Sequence, residues 1–203
     1  NYIQDNLKIS LHAGHFINHL VEYEKWTVPG FDLTIAQSQL MPSIRYQFKD
    51  FTFNAGSVIS TLENTNGKGE DKLVPDASTI NLGSYLTADY EKDYVGFNAG
   101  LRVDIKTISS EDEMLTSEYQ NTFSTTSFSS GMYFKNAEHI LRATYSGAFR
   151  APHFSELFSN GVHHGTNRFE LGDPELGIEY ANQLDFKYQW SNEHFGIVIN
   201  PFS

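Results

Sequence analysis

Between Tyr94 and Lys106 every second residue is apolar, and this alternation restricts the fold more than any other feature of the chain. In "YVGFNAGLRVDIK", Val95, Phe97, Ala99, Leu101, Val103 and Ile105 take one side. Gly96, Asn98, Gly100, Arg102, Asp104 and Lys106 take the other. An extended strand sends successive side chains to opposite faces, so the pattern predicts a strand with one greasy and one polar face. The same split separates Leu141, Ala143, Tyr145 and Phe149 from Arg142, Thr144, Ser146 and Arg150. It recurs in "LDFKYQW" (184–190) and, near the start, in Leu7, Ile9 and Leu11. Less regular runs at 33–48, 51–61, 79–90 and 122–134 also read as strands, with "FSTTSFSSGMYF" the least regular.

The connections are of two kinds. Lys49–Asp50, Glu91–Asp93, Lys135–His139 and Ser191–His194 are short polar turns, whereas 62–78, 110–121 and 150–180 are long loops. Short turns alternating with long loops predict an antiparallel up-and-down meander. Strands of about ten residues, tilted, are long enough to cross a bilayer. Aromatic residues gather beside the short turns: Tyr46, Phe48, Phe51 and Phe53, then Tyr90 and Tyr94, then Tyr133 and Phe134, then Tyr188, Trp190 and Phe195. Amphipathic rings at one level are what a membrane–water girdle requires. A soluble sandwich or propeller would use the same rings as core. A propeller blade, however, divides the turn-to-turn distance into four short strands, and this chain has two long ones.

Composition narrows the function classes. With no cysteine, disulfides and thiolate metal sites are excluded. A net charge of −11 argues against nucleic acid and against a polybasic membrane patch. No apolar run is long enough for a transmembrane helix. The chain begins at Asn1 and ends on "NPFS", which predicts a section of a longer protein. No serine sits in a nucleophile elbow and no Ser-His-acid set follows from spacing, so no enzyme activity is expected. "NGKGED" lacks the spacing of a phosphate loop, and "EDE" lacks the spaced oxygens of a calcium loop. No resident cofactor is expected.

The segment "GAFRAPHFSELFSNGVHHGTNRFELGDPELGIEYANQLDFKYQW" resembles the barrel of TonB-dependent outer-membrane receptors. Phe149–Pro152 match a "FRAP"-like strand end of that family. Gly172, Pro174, Leu176 and Glu179 match a "GNP-L-PE" element, with Asp173 for the Asn and Ile178 for the last Pro. "KLVPDASTINLGSYLTADYEKDYVGFNAGLRVD" and "NLKISLHAGHFINHLVEYE" are similar as well, so the resemblance covers nearly the whole chain. It implies an all-β fold: about eight or nine strands, the middle of a transmembrane barrel of about 22, lacking the plug domain that fills the lumen. It further implies an outer-membrane protein of a Gram-negative bacterium, bounded by outer-membrane lipid. The rest of its barrel and its plug, the TonB complex acting through that plug, and a small-molecule or metal-chelate ligand would be the other partners. The alternative is a passive porin or an adhesin-type barrel.

Within that frame Arg102, Asp104, Arg142 and Arg150 are expected to face the lumen, with Arg150 in a lumen or plug ion pair. The loop Phe149–Glu179 is too rich in Phe and Leu for a disordered linker. Phe154, Leu157 and Phe158 fall at helical spacing after Pro152, and "GDP" reads as a turn. His163 and His164 are metal candidates, since imidazole suits zinc, copper, nickel and haem iron. Neighbours on an extended chain point apart, so solvated histidines are the competing reading. His153, Arg168 and Glu170 complete the candidate ligand contacts of this loop. His15 and His19 share a strand face toward the outer end, while His12 has the opposite parity. The loops are acidic, through Glu70, Asp71, Asp76, Glu111, Asp112, Glu113, Glu118, Glu170, Asp173, Glu175 and Glu179. Lys68, Lys72 and Arg168 offset part of this charge. Such a rim either concentrates cations at the mouth or is simply well solvated.

Overall fold

Each short turn folds because its residues tolerate the required backbone. Asp5, Lys49 and Asp93 take positive φ (45°, 54° and 52°) as the first residues of two-residue turns. Two further turns are led by asparagine. The Asn136 carboxamide oxygen accepts from the N–H groups of Glu138 and His139 (3.0 and 2.8 Å). Asn192 accepts from His194 and Phe195, both at 2.9 Å. An Asn side chain that substitutes for a backbone acceptor is a known way to hold a tight reversal.

The computed structural model describes residues 2–25, 27–69, 72–163 and 168–201. The strands are β1 (Tyr2–Gln4), β2 (Leu7–Lys25), β3 (Val28–Phe48), β4 (Phe51–Asn66), β5 (Ala77–Lys92) and β6 (Val95–Ser110). They continue as β7 (Tyr119–Lys135) and β8 (His139–Arg150), then a one-turn helix α1 (Phe154–Phe158). A small hairpin, β9 (Asn160–His163) and β10 (Arg168–Leu171), precedes β11 (Glu179–Ser191) and β12 (Gly196–Ile199). Ten strands form one antiparallel sheet in the order β1-β2-β3-β4-β5-β6-β7-β8-β11-β12, while β9 and β10 pair apart from it. Eight of the ten are long, and β1 and β12 add short edges. The two edges do not pair with each other, so the sheet is open.

The register keeps the two faces separate. One row pairs Ile44, Ala55, Leu86, Leu101 and Phe128 across neighbouring strands. The adjacent row pairs Arg45, Asn54, Thr87, Gly100, Ser129, Ser146 and Gln183. On the apolar face Leu86 is 55 % exposed, Leu101 53 % and Met132 55 %. Among the described residues no second layer covers this face, which removes the sandwich and propeller readings. From Val95 to Ile105 the apolar band is about 33 Å along the strand. A strand tilted by about 40° needs that length to traverse a hydrocarbon belt of about 25 Å. Rings pack together at its lower rim, with Phe51–Tyr90 centroids 4.8 Å apart and Tyr94–Phe134 6.3 Å.

The strands run further than alternation predicts. Above Ile105 the formerly apolar face carries Thr107 and Ser109, and across from them Thr122 and Gln120. Here the ladder persists although the formerly apolar side is polar, with Ile108 and Phe123 on the opposite side, so the loops shrink to 67–76, 111–118 and 151–178.

Candidate functional site: a roofed mouth on the polar face

The only large buried apolar cluster among the described residues lies at the long-loop end, on the polar face. It joins Leu33, Leu73, Val74, Ala77, Ile108, Phe123, Phe154, Leu157 and Phe158. Three of these come from α1, whose spacing puts Phe154, Leu157 and Phe158 on one side. All three are nearly inaccessible (3 %, 1 % and 5 %). Burial of each stabilises the roof by about 1.5–3 kcal/mol before the entropy of ordering the loop is counted. Tyr119 meets Phe158 edge-on at 4.7 Å. The long apolar-spiked loop is therefore a structured fold-back.

His153 caps the helix. Its Nδ1 accepts from the Ser155 N–H at 3.3 Å and lies 2.8 Å from the Ser155 hydroxyl. In return the Glu156 carboxylate accepts the His153 N–H at 2.7 Å, completing a reciprocal cap. Arg150 grips the same carboxylate through Nη1 and Nη2 (2.8 and 3.0 Å). It also reaches Glu179, its register partner on β11, through Nε and Nη2 (3.1 and 2.7 Å). The Arg150 hydrogen bonds, aided by the His153 N–H, pull the Glu156 carboxyl down to about 2. The ion pairs of Arg150 thus lie within its own loop and strand neighbour. The "FRAP" arginine and the closing glutamate of the second motif form a clamp at the base of the roof. Lys106 adds a bond from Nζ to the Pro152 carbonyl at 2.9 Å.

The "GDP" turn seats against the far end of α1. Gly172 N–H donates to the Ser159 carbonyl at 2.6 Å and Asp173 N–H to that of Glu156 at 2.9 Å. A Cβ on Gly172 would stand 2.5 Å from Phe158 N and 2.6 Å from the Leu157 carbonyl carbon, so the helix backbone itself requires glycine there.

Carboxylates pin the neighbouring loops too. Asp112 accepts from the Asp76 and Met114 N–H groups (2.8 and 2.9 Å) and from Lys72 Nζ (3.2 Å). Burial pushes this carboxyl up, but those donors outweigh it and hold it below its ordinary value. Asp76 in turn accepts from the backbone and side-chain nitrogens of Asn66, both at 2.7 Å. These roles were invisible in sequence, where the acids looked like a rim and their partners lay 36 or 40 residues away.

The remaining candidates sit as follows. Arg102 and Asp104 form an ion pair on the polar face (2.6 and 2.5 Å). Arg142 lies on the same face over the Tyr133 ring, 5.7 Å from its centre. His163 ends β9 opposite Arg168 of β10, and Glu170 stands opposite Gly161. His164, Glu70 and Asp71 lie outside the described residues. His15 Nδ1 is 2.9 Å from the Ser38 hydroxyl in the middle of β2 and His19 Nε2 is 2.7 Å from Asp32 further toward its outer end, while His12 shares the opposite face with Lys8. Among the described residues no three His, Asp or Glu side chains converge as a metal site.

Several solved structures share this fold. The chain is similar to the copper transporter OprC, with 15 % identity and a TM-score of 0.69, covering 98 % of this chain and 36 % of that one. It is similar to the FrpB iron transporter from Neisseria meningitidis (F5-1 variant), with 13 % identity and a TM-score of 0.69, covering 97 % and 33 %. The siderophore receptor PiuA from Acinetobacter baumannii gives 13 % identity and a TM-score of 0.65, covering 98 % and 38 %. The chain spans roughly a third of the length of each. Comparison with curated proteins returned no match. The open sheet is accordingly a portion of an up-and-down barrel. A family model for the "TonB dependent receptor-like, beta-barrel" matches residues 4–202, and the chain belongs to that family.

Proposed function

We propose that this chain is part of the wall and the outward mouth of an outer-membrane receptor of a Gram-negative bacterium. The whole protein imports a scarce extracellular ligand, a metal, metal chelate, haem or similar molecule, with energy delivered by TonB to a plug in the lumen. One observation carries the reading: a girdled apolar face is left uncovered, while the opposite face is polar and roofed at one end. Outer-membrane lipid covers the first face, and the plug and the passing ligand meet the second. The short turns are periplasmic and the long loops extracellular. In this reading His163, Arg168 and Glu170 of the β9–β10 hairpin, together with His164, are ligand contacts, the histidines supplying metal or haem-iron affinity. The similar structures, a copper transporter, an iron transporter and a siderophore receptor, support a metal-related ligand.

The test is growth of a deletion strain under limiting iron, haem, zinc or copper. The intact gene restores growth under one limitation, and His163→Ala with His164→Ala reduces that rescue. A deletion strain that grows like its parent under every limitation ends the import reading. The inward seating of α1 also suits a passive pore narrowed by a constriction loop. Planar-bilayer recording separates the two, because a plugged receptor gives no steady conductance and a porin does.

A further inference from the structure

We propose that the turn-side rim of the apolar face holds a discrete site for one phospholipid with an ammonium-bearing headgroup, Glu138 accepting the ammonium and a notch at Ala143 seating an acyl chain. The inference rests on the reading of this face as the lipid-facing one and goes beyond it. Bulk lipid covers such a face whatever its headgroups, whereas this site distinguishes between them.

Two hollows meet at Phe134. The first, about 270 Å³, lies over Ala143 of β8, whose direct register partners are Met132 on β7 and Phe186 on β11. Phe97, Phe134 and Leu141 complete its walls. A methyl group set among longer side chains leaves a slot that methylene groups fill, with apolar surface removed from water on both sides. The second hollow, about 590 Å³, sits at the level of the turns, where Asn136, Glu138 and His139 join the rings of Tyr94 and Phe134. An apolar slot that opens onto a polar hollow at the rim matches the profile of an acyl chain and its headgroup.

Glu138 sets the sign of that headgroup. Trp190 and His139 are register partners on the apolar face, and Trp190 Nε1–H donates to Glu138 Oε2 at 3.4 Å. This bond keeps the carboxylate on the apolar side of its turn. Among the described residues no cationic side chain pairs with it, and Lys135, three residues away, is bound to Glu91. His139 instead faces Tyr188, with Nδ1 2.9 Å from the hydroxyl. At the level of the lipid phosphates an unpaired carboxylate meets like charge, which disfavours an anionic headgroup there. An ammonium reverses the interaction, and its N–H groups suit the carboxylate. Tyr94 and Phe134, with centroids 6.3 Å apart, place aromatic faces beside the same charge.

The experiment uses the full-length gene product containing this chain, purified in detergent. Its thermal unfolding midpoint is followed while dioleoyl phosphatidylethanolamine, dioleoyl phosphatidylglycerol or free ethanolamine is added. The phosphatidylethanolamine should raise the midpoint at a concentration about tenfold lower than the phosphatidylglycerol, the worth of one hydrogen bond to a charged group. Glu138→Gln should abolish that preference, while Asp50→Asn, which removes the same charge from a distant turn, should leave it intact. Ala143→Trp, which fills the slot, should weaken the phosphatidylethanolamine effect about tenfold or more. Equal effects of the two lipids, a preference that survives Glu138→Gln, or an Ala143→Trp variant that responds like wild type overturns the proposal. So does a rise with ethanolamine alone equal to that with the lipid, since the occupant is then a free amine. Leu101→Arg and Ser129→Arg separate this failure from failure of the face assignment. If both are tolerated equally the apolar face does not meet lipid, and if only Leu101→Arg is damaging the assignment stands and the site alone is lost.

Discussion

Glu156 gathers three functions on one residue: its carboxylate closes the α1 cap and holds Arg150, and its backbone carbonyl accepts the Asp173 N–H. Its lowered pKa makes the roof acid-sensitive in a defined window. A carboxyl that titrates lower in the folded state binds fewer protons there than when unfolded, so stability rises with pH across the window. The contribution is fully present above about 4.5, the ordinary value, and is lost as pH falls toward 2. The protection of residues 154–158 against amide exchange, taken relative to the intrinsic rate at each pH, should fall as pH drops across that range, and Glu156→Gln should remove this loss. Protection that stays constant from neutral pH to below 3 would show that the clamp does not hold the helix. Gly172 is a second single-residue dependence. Gly172→Ala forces a methyl into the backbone of α1 and costs the roof about 1–3 kcal/mol, an overpacking penalty. The expected readout is faster proteolysis within 151–178 while the strands remain protected.

Among the elements, the long strands were legible because one side is apolar over most of its length and alternation records it directly. Their upper ends were not, because Thr107, Ser109 and Thr122 look like loop residues while their backbones stay in the ladder. The short turns were legible as polar breaks, although the one after β5 falls at Asp93–Tyr94, one residue later than the run "EKD" suggests, and the Asp5–Asn6 turn gave no clear break. α1 was readable only as spacing. What holds it, Leu33, Leu73, Ile108 and Phe123, comes from three distant parts of the chain, which no local pattern connects. The turns make their own prediction. Asp93 sits at φ 52°, where an L side chain costs about 1–2 kcal/mol and glycine costs nothing. Asp93→Gly should be neutral or stabilising and Asp93→Val destabilising, with urea midpoints of the refolded protein as the measure. Equal midpoints for the two variants would mean that the turn does not hold this conformation.

At the scale of the whole molecule, the two faces must pay different prices for the same charge if one meets lipid and the other water. Leu101 and Ser129 test this closely, because Gly100, next to Leu101 in the chain, pairs directly with Ser129 on β7. Both positions lie mid-strand, both are exposed in the isolated sheet, and they point to opposite sides. An arginine on the lipid side near the bilayer midplane costs about 2–4 kcal/mol, since its charge must leave water or drag water with it. On the side of Asn54, Thr87 and Ser146 the same arginine stays hydrated among hydrogen-bonding neighbours. Leu101→Arg should therefore shift the urea midpoint of the full-length protein in lipid vesicles far more than Ser129→Arg. The gap should narrow when the apolar-face arginine is moved to Val95, beside the Asp93–Tyr94 turn, where the headgroup region begins. A penalty that does not vary with position along β6 would indicate a protein partner, rather than a bilayer, against the apolar face.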